Sequence, residues 1–213
     1  MKHATSKALF SYWDQVRDGR VAPRRLEIEP ARLTPILSET FILERKNTVD
    51  YPYRLAGTRI CDVFGREFRG RNFLDGWTET DRVTLSRQLA VVCQDGAGLV
   101  LEMAATGTER HSVILECVIL PMLHTTNSIT RLLGCAVALD HPAWLGTEPL
   151  TSIELLNHKL IWPGREMTPE RPPMRPITPV LSALAGARLV KIDRRSFRVL
   201  DGGLLTGGPE KTK

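Results

Sequence analysis

Residues 65–72, GREFRGRN, set two glycines five positions apart and follow the second with Arg71 and Asn72. A phosphate loop uses the spacing G-x-x-x-x-G-K-[ST] between a strand and a long helix. Its backbone N–H groups cradle phosphate while the lysine and hydroxyl reach phosphate and metal. Here Arg71–Asn72 stand in place of Lys–Ser/Thr and no long helix follows at once, so phosphate cradling is not the expected use. Gly65 and Gly70 instead turn the backbone, and Phe64, Phe68, Phe73 and Trp77 point inward to wall a cavity. On that reading Arg66, Arg69 and Arg71 lie on the surface or contact an anion at the cavity mouth.

Other reactive residue types lack the company that chemistry requires. A nucleophilic cysteine needs an electropositive, partly exposed setting with a base nearby. Cys61, between Arg59 and Asp62, is the only candidate, and no base accompanies it. Cys61, Cys93, Cys117 and Cys135 are widely spaced, with no CxxC or CxxH pair, so no metal site is expected and the thiols read as reduced and buried. His111 and His124 fall at strand ends beside turns, where a solvated side chain is expected. Neither G-x-S-x-G nor H-E-x-x-H occurs. No catalytic residue is assigned, and the chain is not expected to be an enzyme.

The elements that must position the aromatic stretch follow from periodicity. Leu9, Tyr12, Trp13 and Val16 form one apolar face of a helix over 6–18, ended by Gly19. A short helix is predicted over 30–37, then strands over 40–46 and 51–57 around the turn Asn47–Asp50. The glycine-broken stretch to Trp77 allows only short helical pieces. Thr78 and Asp81 open a longer helix, striped by Leu85, Leu89 and Val92 and stopped at Gly96. Three strands follow, 98–107, 111–123 and 131–140, joined as a meander. This order predicts an α+β fold with a five-stranded antiparallel sheet and short helices on one face.

Strand 111–123 is apolar on both faces, so the sheet must be covered on both sides. The short helices cover one. The amino-terminal helix covers the other, and the small set Gly134, Ala136 and Ala138 is expected to admit its bulk. Residues 151–160 carry a Thr151–Glu154 capping box and predict a helix. The organisation is therefore an amino-terminal amphipathic helix (1–19), a domain (20–142), an extension with a helix (143–162), and a proline-rich linker with a basic, partly disordered tail (163–213).

Composition bounds the rest. The 213 residues are 42% hydrophobic and 25% charged, ordinary for a soluble protein. The net charge of +5 belongs wholly to residues 163–213; residues 1–162 are neutral. No apolar run reaches the roughly 20 residues of a membrane span, and no signal-peptide core is seen. A cytoplasmic location is expected.

The stretches LFSYWDQVRDGRVAPRR, YRLAGTRICDVFGREFRGRNFLDGW and LLGCAVALDHPAWLGTEPL resemble the bacterial single-PAS family PAS_5. That family carries a Y-W helix, R-L-A-G-T-R, F-G-R-E-x-x-G-R and W-L-G-x-E-P-L in the same order. The resemblance spans about residues 6–150. It implies a five-stranded sheet and short helices around a cavity, with a sensory or regulatory role and no particular reaction. The candidate cavity lining is Leu55, Ile60, Phe64, Phe73, Trp77, Leu89, Leu101, Leu115, Cys117 and Val137. These residues either hold a small apolar metabolite or form a closed core, and sequence does not separate the two.

Flavin-binding relatives place a cysteine in an N-C-R-F-L-Q-like helix, and RICDVF around Cys61 lacks the gripping asparagine, arginine and glutamine. The helix 79–95 has no histidine for haem. No cofactor is expected. The expected function is a stand-alone cytoplasmic sensory module acting on a signalling protein, with homodimerisation through Leu9, Tyr12, Trp13 and Val16. The alternative is a nucleic-acid or nucleotide-responsive regulator using the basic stretch 188–198.

Overall fold

Strands β1 (Thr40–Glu44), β2 (Tyr53–Ala56), β3 (Gly98–Gly107), β4 (Ser112–Leu123), β5 (Ile129–Ala138) and β6 (Leu150–Ile161) make one antiparallel sheet in the order β2-β1-β5-β4-β3-β6. The computed structural model describes residues 1–124 and 128–164. The linker beyond residue 164 and the basic stretch 188–198 lie outside the described residues. No helix among the described residues is long and apolar enough to cross a membrane.

The sheet has six strands rather than five, because the predicted helix 151–160 is β6. Local capping chemistry lost to the open edge of β3, whose N–H and C=O groups required partners. β6 supplies them along nearly its whole length, from Leu150 opposite Gly107 to Ile161 opposite Gly98. Thr151, the expected cap, donates its hydroxyl to the Thr106 carbonyl across the ladder at 3.2 Å. The inward residues Ile153, Leu155 and Leu160 pack on the core.

The inner face carries the main core. Helix α2 (Thr58–Phe64), the turns that follow it, and helix α3 (Glu79–Asp95) close over it. The Thr78 hydroxyl accepts from Asp81 N–H at 3.2 Å and Gly96 takes the left-handed cap, as the sequence predicts. Leu85, Leu89 and Val92 are fully buried.

The outer face is covered by helix α1 (Ala4–Arg17), joined to β1 through two 3-10 stretches, Arg25–Glu27 and Pro30–Glu39. Leu9 and Trp13 are wholly buried against Val118, Leu120, Met122, Leu133 and Cys135, while Tyr12 and Val16 are half-buried beside them. Burying each large apolar side chain contributes about 1.5–3 kcal/mol. The Trp13 indole Nε1–H donates to the Pro121 carbonyl at 2.7 Å. At the helix start, Glu116, buried in β4, accepts from the backbone N–H groups of Lys2 and His3.

The small residues of β5 do not serve α1. Alternation turns Leu132, Gly134, Ala136 and Ala138 to the inner face, and α1 rests on Leu133 and Cys135. The room left at Gly134 is taken by Phe41 of β1.

Candidate functional site

Between α2, the 65–77 turns and the inner sheet lies a hollow walled by Phe41, Tyr53, Phe64, Phe68, Phe73 and Trp77. Tyr53 and Phe68 pack tilted with centroids 5.1 Å apart, and Phe64 meets Phe68 edge to face at 5.3 Å. Phe73 links Phe41 at 6.2 Å to Trp77 at 6.0 Å. The Trp77 indole N–H is satisfied by the Phe73 carbonyl at 3.0 Å. Ile60, Met103, Cys117, Ala136 and Ile153 complete the apolar wall, and Arg66, Asn72 and Asp75 bring polar atoms to it.

The free space is about 30 Å³, room for about two waters and far short of the roughly 300 Å³ of an ordinary ligand pocket. As formed, the hollow admits neither an isoalloxazine ring nor haem. A second hollow of about 30 Å³ adjoins it, between α2 and β4–β5, lined by Leu115.

Of the predicted lining, Ile60, Phe64, Phe73, Trp77 and Cys117 meet at the first hollow and Leu115 at the second. Leu89 and Leu101 are wholly buried in the core behind them. One assignment is corrected. Leu55 faces out, 42% exposed, because the β1–β2 register slips between Ile42 and Leu43. The bulge pairs Tyr53 with Leu43 on the inner face and Leu55 with Ile42 on the outer. Val137, opposite Glu116 in the β4–β5 ladder, lines the second hollow beside Leu115. Tyr53, Phe41 and Met103 were missed. Tyr53 is hidden by that bulge, whereas the alternation of 98–107 places Met103 with Leu101 and could have found it.

Arg66 is not a plain surface residue. Its guanidinium lies over the rings of Phe68 at 5.0 Å and Phe64 at 5.7 Å. Its Nε–H is buried without a hydrogen-bond acceptor. Arg69 is exposed, and Arg71 Nε–H donates to the Glu67 carbonyl at 2.9 Å. Cys61 sits half-buried with its sulfur 3.7 Å from Glu67 Oε1. Burial, with Glu67 beside it, raises its thiol above the ordinary range, the opposite of an activated nucleophile.

The second polar cluster joins Glu109, His111 and Glu148, whose ligand atoms lie within 4.8 Å of one another. His111 and Glu148 are already engaged with each other, while the Glu109 carboxylate is exposed and comes no nearer to His111 than 3.9 Å. Buried Glu148 accepts from the Glu109 N–H, and His111 Nδ1 lies 2.7 Å from its other oxygen. Burial alone would raise the Glu148 carboxyl, but the bonds from His111 and Glu109 hold it below its ordinary value. Trp144 stacks on His111 at 5.3 Å. The WLGTEPL stretch thus clamps the β3–β4 hairpin. Pro149 of the same stretch packs on Gly65, whose φ of 58° turns the chain into the aromatic segment.

The model of the PAS_5 family, a PAS domain, matches residues 1–137. A search of curated proteins found no match. Among solved structures, a light-oxygen-voltage domain from a study of its mechanism with a flavin analogue is 15% identical at a TM-score of 0.40, over 52% of this chain and 84% of that one. The blue-light photoreceptor Aureochrome1 LOV domain is 16% identical at 0.39, over 51% and 87%. The PAS domain of an HTR-like protein from Haloarcula marismortui is 16% identical at 0.39, over 54% and 95%. With residues 1–137 matched by the family model and the sheet, covering helices and walled hollow in place, the chain belongs to the PAS_5 family of PAS domains.

Proposed function

We propose that this PAS domain is a non-catalytic regulatory module that acts through protein–protein contact, with the aromatic hollow as its input and α1 as its output. The observation that supports the reading is the two-sided use of β4. Cys117 walls the hollow, while its neighbours Glu116 and Val118 carry α1. Successive strand residues point to opposite faces, so a group that widens the hollow moves the strand on which α1 rests.

The attachment of α1 is suited to release. Beyond the burial of Leu9 and Trp13, it depends on the Trp13–Pro121, Glu116–His3 and Thr5–Glu39 hydrogen bonds. A partner competes for the apolar face of Leu9, Tyr12, Trp13 and Val16, which is now docked on the chain's own sheet. That partner is a signalling protein or a second copy. Either biases the equilibrium only by its differential affinity for docked and released α1. Four free cysteines suit a reducing, cytoplasmic setting.

Native-state hydrogen exchange tests the reading. The α1 amides should open at a free energy well below that of β4 and β5. If α1 exchanges only with global unfolding, it is part of the core and the proposal fails.

A further inference from the structure

The hollow is lined by a cation with a buried N–H that no acceptor takes. The guanidinium of Arg66 stacks between hollow and solvent on Phe64 and Phe68. Stacking satisfies the faces of a guanidinium and leaves its in-plane N–H donors seeking acceptors. The Nε–H is buried and has none, and buried donors in folded proteins are nearly always paired. No ion pair within 4.0 Å joins Arg66 to an acidic residue among the described residues, although Asp75 lines the same hollow. A second donor is at hand. The field of Arg66 reaches the Tyr53 phenol, but burial dominates and raises that hydroxyl well above its ordinary range, so it stays protonated.

From this we infer that the hollow receives a short-chain monocarboxylate, acetate- to butyrate-sized, whose carboxylate is held by the in-plane donors of Arg66. The geometry agrees with the size of the head: space for about two waters is also the space of a carboxylate. A tail beyond it must widen the hollow against the ring edges and Ile153, the movement that the input reading requires, and a planar fork of donors matches a carboxylate bidentately. Few ligand atoms set a low ceiling on affinity, so binding falls in the millimolar range. The ligand class rests on the hollow being the input site proposed above.

The probes are sodium propionate and its neutral isostere propionamide, titrated into the intact protein at constant ionic strength. Binding is followed by the Trp77 indole N–H resonance, and α1 hydrogen exchange is recorded in parallel. Propionate should shift the Trp77 signal saturably, with propionamide at least tenfold weaker. Arg66→Gln should lose tenfold or more in propionate affinity, Arg66→Lys should recover part of it, and Asp75→Asn should strengthen binding by removing a like charge. Equal binding of propionate and propionamide to the unaltered protein, or no saturable shift with either, overturns the inference even if the Arg66 variants fold poorly. Arg66-dependent propionate binding that leaves α1 exchange unchanged upholds the ligand class and removes the input–output coupling. Faster α1 exchange with both probes does the reverse.

Discussion

Gly134 of β5 faces the ring of Phe41 so closely that a Cβ placed on it would lie 2.2 Å from Phe41 Cζ and 2.7 Å from the Val118 carbonyl oxygen. The missing side chain is what lets the aromatic layer lie flat on the sheet. Gly134→Ala should therefore destabilise the domain by about 1–3 kcal/mol, the usual range for overpacking a well-filled core. Urea unfolding measures it. Adding Phe41→Leu should restore part of the loss, and full additivity of the two changes would place their contact in doubt.

Trp13 offers a separable pair of effects. Trp13→Phe keeps most of the apolar bulk but leaves the Pro121 carbonyl without its 2.7 Å donor, at about 1–3 kcal/mol for an unpaired buried group. Trp13→Ala should cost about 3–5 kcal/mol. Amide exchange in α1 should rise further in the second variant than in the first, while the protection of α3 stays comparable.

Acid should loosen the start of α1. Burial works to raise the Glu116 carboxyl, yet the Ser6 hydroxyl and the N–H groups of Lys2 and His3 prevail and hold it below its ordinary value. A depressed folded-state value means stabilisation that is complete above the unfolded carboxylate range and fades as pH falls through the folded value. Protection factors at Thr5–Leu9, taken against the intrinsic rate at each pH, should fall on acidification, and Glu116→Gln should flatten that part of the profile. A profile identical in both proteins would assign the acid response to another group.

The hairpin clamp predicts a local effect. Glu148→Gln keeps the shape but loses the charge-assisted bond to His111 at 2.7 Å, so protection at Glu109 should fall more than protection in β5. Because His111 Nδ1 and the Glu148 carboxylate are engaged with each other and only the exposed Glu109 carboxylate is left over, added zinc should leave the melting temperature unchanged. A zinc-dependent rise would show that the cluster opens to bind metal.

Much of this architecture was legible from periodicity alone. The strands 98–107, 111–123 and 131–140 and the Thr78 cap match the structure because burial and local preference agree there. The misreadings arise where a non-local partner decides. A Thr-x-x-Glu box satisfies two helix donors, but β6 satisfies the whole exposed edge of β3. Tyr53 and Leu55 share a face in any regular strand, and the slip in the β1–β2 ladder turns one in and the other out. The inward tilt of Arg66 has no signature, since an arginine beside two phenylalanines reads equally well as solvated.

The opposed faces of β5 also guard the pairing of the sheet. Side chains alternate with a period of two, so sliding β5 by one residue against β1 and β4 would exchange its faces. Leu133 would then be driven into the Phe41 ring, and the bare backbone of Gly134 would be left under Trp13. The mistake would be punished by collision on one side and by a void on the other.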